Sequence, residues 1–440
     1  MNELYASSRA LFDFPPERDG KKVIELRALT HGIPPRAIKR NLELFAKEWT
    51  RNGVDAWNEM TESNHIFQVG DENEEELRRP FGWWTLPEVI GDRFISRLLH
   101  VPGGTCILMS NATQIVFSLL SCKELNKPGR RKVICTDGEF PAVLHTLRHF
   151  NRQFESYSAS TKKEVQLDIC VVEMGEDPFD DEKILSETDD TTALVIFSHI
   201  GFVRGERVPD DLIRRITEKA HAHGALVAID AYHAVGNRTI HVQDLGVDAY
   251  FGGLLKEGCG SSGNCFLYIR PNLELTPSLS GWFGDKQPFA FAPQPEINPS
   301  VRRRFLTGTT PIAPMYHSVE GLKIMLNLGL EQVAKDVLDK VEGMTKQLVA
   351  SGLMVVSPQD RARMSSLIVL KVPEANKLRE YLAHEHAILV DARRNQFLRL
   401  AAHIYHSSDE MERASRLIVE AVQQRRYLSF DMEEKSGPVT

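Results

Sequence analysis

The sequence is short of cysteine for its length, with six in 440 residues: Cys106, Cys122, Cys135, Cys170, Cys259 and Cys265. Six thiols do not make a disulfide framework in a chain this long. No Cys-x-x-Cys pair occurs, which argues against zinc ribbons and dithiol redox sites. Most of these cysteines stand in apolar runs such as 105–109 and 132–135, and they read as buried, inert thiols. No stretch reaches the ~18–20 apolar residues of a membrane-spanning helix. The first residues lack a basic start followed by an apolar core, so a cytoplasmic protein without a secretion signal is expected. Positive charge is also scarce. Lys and Arg number 53 against 60 Asp and Glu, a net charge of −7. A basic run of three, Arg302-Arg303-Arg304, is too short to track a phosphate backbone, so nucleic acid is not an expected partner. Gly-x-Ser-x-Gly and the nucleotide-binding Gly-x-x-x-x-Gly-Lys-Ser/Thr are both missing. His145 and His149 stand four apart without the glutamate of His-Glu-x-x-His, and no metal site is expected.

What is present is an ordinary globular composition, 42% hydrophobic and 26% charged, in a chain long enough for two or three domains. Residues 1–30 read as an irregular lead-in. An amphipathic helix follows between Pro35 and Trp57, then an acidic loop over 61–82 and a second helix from Leu86 to Leu99. Apolar runs at 105–109, 132–136, 167–172, 193–198, 225–229, 248–251 and 265–269 read as seven strands. Helical stretches at 112–124, 141–150 and 209–223 lie between them. Strands alternating with helices predict an α/β fold, a mainly parallel seven-stranded sheet sandwiched by helices. The Pro-, Gly- and aromatic-rich span 273–310 reads as a long functional arm. A helix from Pro311 to about residue 333 follows. Helix and strand then alternate to residue 425, forming a smaller α+β unit, and 426–440 reads as a frayed tail. Three divisions follow: an N-terminal segment 1–60, a large α/β domain 61–310, and 311–440 as interdomain helix plus small domain.

The chemistry concentrates between Ala225 and Pro271. The apolar strand Ala225–Ile229 ends in Asp230, and His233 follows three residues later. A second apolar strand leads through Gly252-Gly253 and Leu254-Leu255 to Lys256. A lysine amine for a Schiff base, with a carboxylate to keep a pyridine nitrogen protonated, is the pair that pyridoxal phosphate needs. Apolar surroundings would lower the lysine pKa and free its amine. The same spacing also fits a helix-capping Asp230 and a solvated Lys256. Ser110-Asn111-Ala112-Thr113 follows a strand and opens a helix, either to hold a phosphate or as a plain N-cap. Phe140, after the strand at 132–136, is placed either to stack on a flat ring or to fill a core. Arg399 lies inside the apolar run Phe397–Leu400. A buried arginine needs an anion there, a substrate carboxylate or an internal ion-pair partner.

Together these features resemble the kynureninase-like branch of the class V aminotransferase superfamily, fold type I pyridoxal phosphate enzymes. The resemblance spans roughly residues 28–425. Glu48-Trp49 and Gly53-Val54-Asp55 resemble the family's early helix. Phe140-Pro141, Ser198-His199, Asp230-x-x-His233 and Lys256 follow in the family's order. Ser280-Gly281-Trp282-Phe283-Gly284, Pro288-Phe289-Ala290-Phe291 and Gly308-Thr309-Thr310-Pro311 resemble its arm, and Arg399 ahead of Tyr405 resembles its carboxylate-binding arginine.

The resemblance implies Lys256 and Asp230 as catalytic residues. It implies Ala112, Thr113, Phe140, Ser198, Asp230, His233 and Lys256 around the cofactor, with Trp282 and Thr309 reaching it from a second subunit of a homodimer. Arg399 and Trp57 would bind an α-amino-acid substrate. The implied reaction is kynureninase-like side-chain cleavage through a Schiff base and a Cα carbanion. The alternatives are aminotransfer, epimerisation, oxygen-dependent oxidation, or a cofactor-binding regulator that keeps the fold. Cysteine desulfuration ranks lower, because no cysteine follows Cys265. Leu255 and Val143 stand where kynureninases carry Tyr and Asp at the cofactor. Backbone amides near Gly252-Gly253 and Thr309 from a partner chain are the expected substitutes.

Overall fold

The computed structural model describes residues 8–70, 80–175 and 178–431. The acidic run Asp71–Glu76 therefore lies outside the described residues. The strands in chain order are β1 (Ile24–Glu25), β2 (Cys106–Met109), β3 (Lys132–Thr136), β4 (Asp168–Val172), β5 (Thr192–Ser198), β6 (Leu226–Asp230), β7 (Ala249–Gly253), β8 (Cys265–Ile269), β9 (Leu367–Lys371), β10 (Ile388–Leu389), β11 (Asp391–Arg393) and β12 (Phe397–Ala401).

Seven of them form the central sheet in the order β2-β8-β7-β6-β5-β3-β4. β3, β4, β5, β6 and β7 run parallel to one another, and β8 runs against both of its neighbours, β2 and β7. Helices on both faces explain why these strands are continuous apolar runs rather than alternating ones. All seven residues of β5 are buried. Alternate residues feed opposite layers: Cys106 and Leu108 join one core, Ile107 and Met109 the other. The helices Ala112–Leu120, Pro141–Arg152 and Asp210–Ala222 take up the connections read from the sequence. Because the central strands are parallel, Thr136, Ser198, Asp230 and Gly253 all finish at the same edge, where α/β sheets place their ligands.

A second core lies over the antiparallel sheet β11-β12-β9 and the helices Leu330–Ala350, Ala375–His386 and Ser408–Gln424. The single helix expected from Pro311 to about 333 is instead two, Ala313–Leu328 and Leu330–Ala350. They part at Gly329, whose φ of 80° is tolerated by a residue without a Cβ. The irregular lead-in is also corrected. Ile24 and Glu25 pair in parallel with Ile388 and Leu389, and Phe12 is buried in the second core. The frayed tail is corrected where it is described, residues 432–440 lying outside the described residues. Arg426–Ser429 make a short 3-10 turn, and the buried Tyr427 donates its hydroxyl to the Pro373 carbonyl at 3.1 Å.

Candidate active site

A cavity of about 350 Å³ opens at the C-terminal edge of the central sheet. The large sheet supplies Ser198, Asp230 and the loop to His233. The loop beyond β7 supplies Leu255 and Lys256, and the small sheet covers them with Arg393 and Arg399. Ala112, Thr113, Phe140, Ile200 and Phe202 line the same space. Eight of the eleven residues predicted from sequence thus meet in one place.

Asp230 is the last residue of β6, and its Oδ1 accepts the Tyr232 backbone N–H at 2.8 Å, which turns the chain back toward the cavity. Burial pushes its carboxyl up to about 6. Burial also pulls the Lys256 amine down, to about 8, a value suited to nucleophilic attack near neutral pH. The Nζ of Lys256 lies 2.7 Å from His233 Nε2, 4.7 Å from the centre of the Tyr232 ring and 5.8 Å from that of Phe140. Burial holds His233 well below the ordinary histidine range, helped by the positive Lys256 and Arg399.

Arg399 enters from β12. It is 2% exposed, with its guanidinium 4.4 Å from the centre of the Phe202 ring. Asp391 Oδ2 stands 3.6 Å from its Nη1. Its Nε and Nη2 are buried and meet no hydrogen-bond acceptor among the described residues. Buried guanidinium N–H groups left open in this way point to an anion that belongs between them.

At the helix start the N-cap reading of Ser110–Thr113 is seen, and it does not compete with a phosphate beside the same turn. Asn111 Oδ1 caps the amide of Gln114 at 2.8 Å, and Ala112 and Thr113 line the cavity just ahead of it. The Gly252-Gly253 pair does not supply amides to the cavity. Both glycines lie inside β7, in the ladder with Phe266 and Cys265. A Cβ on Gly253 would stand 2.1 Å from the Tyr232 ring, so the glycine makes room for that ring. Leu255 and Val143 both line the cavity, so the polar contacts expected from Tyr and Asp are replaced by apolar wall.

Three predicted residues lie outside the cavity of their own chain. Trp57 packs edge-on against Trp83 and Phe283. Trp282 stacks on Phe291 and donates its indole N–H to the Pro288 carbonyl at 2.7 Å. Thr309 is exposed. Ser198 lines the cavity, but its hydroxyl donates to Glu139, a buried carboxyl pushed up to about 7 by burial. Glu139, Tyr232 and Phe202, with Leu29 and Thr30 of the N-terminal segment, carried no assignment from sequence. Glu139 directly precedes Phe140-Pro141 and Tyr232 falls within Asp230-x-x-His233, so both could have been found beside those motifs. Phe202, Leu29 and Thr30 reach the cavity only through the tertiary fold.

The donor set suits pyridoxal phosphate: an amine of lowered pKa, a buried carboxylate, an aromatic face at Phe140, and a helix start with open amides. The family model described as aminotransferase class V matches residues 96–416, well over half of the chain. An uncharacterized aminotransferase, YcbU, of Bacillus subtilis (strain 168) is 27% identical over 65% of this chain and 71% of its own length. A kynureninase of Geobacillus thermodenitrificans (strain NG80-2) is 23% identical over 92% of this chain and 89% of its own. One of Yarrowia lipolytica is 23% identical over 94% and 97%. Among solved structures, the cysteine desulfurase CsdA of Escherichia coli superposes with a TM-score of 0.71 at 16% identity, over 96% of this chain and 98% of that one. C-DES with glycine linked to its PLP cofactor gives 0.72 at 15%, over 92% and 100%. These structures share the fold. The chain belongs to the class V aminotransferase family, and its cofactor is pyridoxal phosphate.

Proposed function

We propose that this class V aminotransferase family member cleaves the side chain of an α-amino acid at the Cβ–Cγ bond, as the kynureninase-like pattern of its motifs suggests. The observation that carries the amino-acid reading is Arg399, with two buried guanidinium nitrogens, Nε and Nη2, unmet among the described residues in the cavity that holds Lys256 and Asp230. A guanidinium fork there suits an α-carboxylate. Support for side-chain cleavage comes from Asp230-x-x-His233, the Trp282 arm segment, and kynureninases that match over about nine-tenths of both chains. When bound, pyridoxal phosphate supplies an electron sink for charge at the substrate Cα.

The residues of this chain divide the remaining work. Arg399 orients the substrate by its carboxylate. Lys256, relieved of part of its proton affinity by burial, moves a proton at Cα. Asp230 offers a buried carboxylate to a pyridinium N–H, a charge-assisted bond that would stabilise its ionised form. Ala112 and Thr113 offer amides and a hydroxyl to a phosphate. The wall of Val116, Val143, Ile200 and Phe202 receives the substrate side chain. Thr309 and Trp282 complete the site from the partner subunit of a homodimer. All six cysteines are free thiols, which suits a reducing cytoplasm.

A second reading, aminotransfer, is favoured by Leu255 and Val143, which stand where kynureninases carry Tyr and Asp. One experiment separates the two. The cofactor-loaded protein is given a panel of amino acids, kynurenine among them, with and without an added keto acid. Cβ–Cγ cleavage returns alanine whatever the side chain. Aminotransfer returns the keto acid of the substrate and consumes the added one. Release of alanine without the added keto acid is expected. Turnover that depends strictly on the added keto acid overturns the first reading in favour of the second.

A further inference from the structure

The residue after the cofactor lysine is another buried carboxylate. Glu257 is 1% exposed, and its Oε2 has no hydrogen-bond partner among the described residues. Its Oε1 accepts the Ser366 hydroxyl at 3.1 Å and lies 3.5 Å from His233 Nδ1. That Nδ1 is itself buried without a hydrogen bond among the described residues. Across the ring, Nε2 meets the Lys256 Nζ at 2.7 Å. An amine N–H pointing at Nε2 needs it as an acceptor, and a neutral imidazole that accepts there carries its proton on Nδ1. The carboxylate facing that proton is Glu257.

The backbone of His233 is tied to the same place. Asn237 Nδ2 donates to the His233 carbonyl at 2.6 Å, while Asn237 Oδ1 accepts the Ser366 N–H at 2.6 Å. Ser366 immediately precedes β9, the strand paired with β12, where Val369 stands opposite Arg399. Small changes in how this sheet seats on the large one therefore reach both Arg399 and the partner of His233. Lys256 and Arg399 are the charged groups that act on the imidazole, and both also act on Glu257. His403 Nε2 stands 3.0 Å from the Glu257 backbone carbonyl, not its carboxylate.

We propose that Glu257 is a positioning residue: its carboxylate receives the Nδ1 proton of His233, fixes the tautomer whose Nε2 accepts from Lys256, and through Ser366 links that tautomer to the seating of the small sheet. Glu257 then acts on the cofactor lysine through the histidine rather than by touching substrate. The inference rests on the reading of Lys256 as the cofactor-holding amine.

The test uses full-length protein labelled with ¹⁵N at histidine, with and without pyridoxal phosphate. Nitrogen NMR reports the His233 tautomer, identified by its loss in His233→Asn. Acetylation of Lys256 against pH in the cofactor-free protein, read by peptide mass, reports its titration midpoint. In the wild type the Nδ1–H form is expected. Glu257→Gln keeps a carbonyl acceptor and retains that form. Glu257→Leu shifts His233 toward Nε2–H and lowers the Lys256 midpoint by about one unit, because an acceptor and a negative charge are both gone. Ser366→Ala, which leaves Glu257 in place, moves His233 part of the way. Unchanged tautomer and midpoint in a folded Glu257→Leu overturn the proposal. Should that variant not fold, an unmoved His233 signal in Ser366→Ala overturns it. The wild-type spectrum with added pyridoxal phosphate, before and after borohydride, tests Lys256 separately. A colourless wild type defeats the reading of Lys256. A yellow wild type with unmoved variants defeats only the role of Glu257.

Discussion

Lys256 and Arg399 sit in one cavity but fail differently when changed. Lys256→Ala removes the amine, so borohydride should fix no cofactor to the chain, which peptide mass mapping would check. Arg399→Lys keeps a positive charge but loses the planar fork. KM for the amino acid is expected to rise about 10- to 100-fold with kcat less affected, because a bidentate contact becomes a single one. Glu139 allows a pH prediction. Its folded carboxyl is pushed up by burial to about 7, above its ordinary value of 4.5. The folded chain therefore holds this proton more tightly than the unfolded one. Stability tied to it is present below about 4.5 and is lost as pH rises toward 7. Glu139→Gln cannot ionise. The difference in Tm, variant minus wild type, should grow between pH 5 and pH 8, and a flat difference would count against the buried proton.

At the scale of elements, Gly253 in β7 is the narrowest fit beside the site. Gly253→Ala would drive a methyl into the Tyr232 ring, which lies 4.7 Å from the Lys256 amine. A loss of about 1–3 kcal/mol in urea unfolding is expected from such overpacking, with weaker cofactor uptake. Six of the seven strands of the large sheet were legible as apolar runs that the fold buries, and the edge strand β4, only partly buried, was legible from the same apolar pattern. That β8 runs against its neighbours was not, since direction depends on the length of connections and not on the strand's own residues. β1 and β10, two residues each, carry no periodicity to read. The helix break at Gly329 hid because one glycine inside a periodic run is often tolerated. In the site, Asp230, His233, Lys256, Phe140 and Arg399 could be found because each follows or interrupts a strand in a recognisable pattern. Glu257, next to Lys256, carried no signal of its own in the sequence. Its burial follows from Ser366, which stands 109 positions further along the chain.

At the scale of the molecule, the arm leaves an apolar face uncovered. Trp282, Phe289 and Phe291 are 42%, 52% and 74% exposed and pack on one another and on Trp84. A contiguous aromatic patch of this kind suits a second copy of the chain. On the proposed homodimer, Phe291→Glu is expected to shift sedimentation from dimer to monomer and to weaken cofactor retention, since Thr309 would then not reach a partner site. A monomeric wild type would remove the basis for that expectation. The N-terminal segment carries a different consequence. Leu29 and Thr30 line the cavity, β1 is held by β10, and the Ser8 hydroxyl reaches the Ile404 carbonyl 396 positions away. During synthesis, residues near the N-terminus leave the ribosome long before the strand that anchors them has been made. The central sheet can form while translation continues, but the closed site cannot. Closure of the cofactor pocket thus waits for β10, β11 and β12, and the early segment emerges well before the strands that hold it.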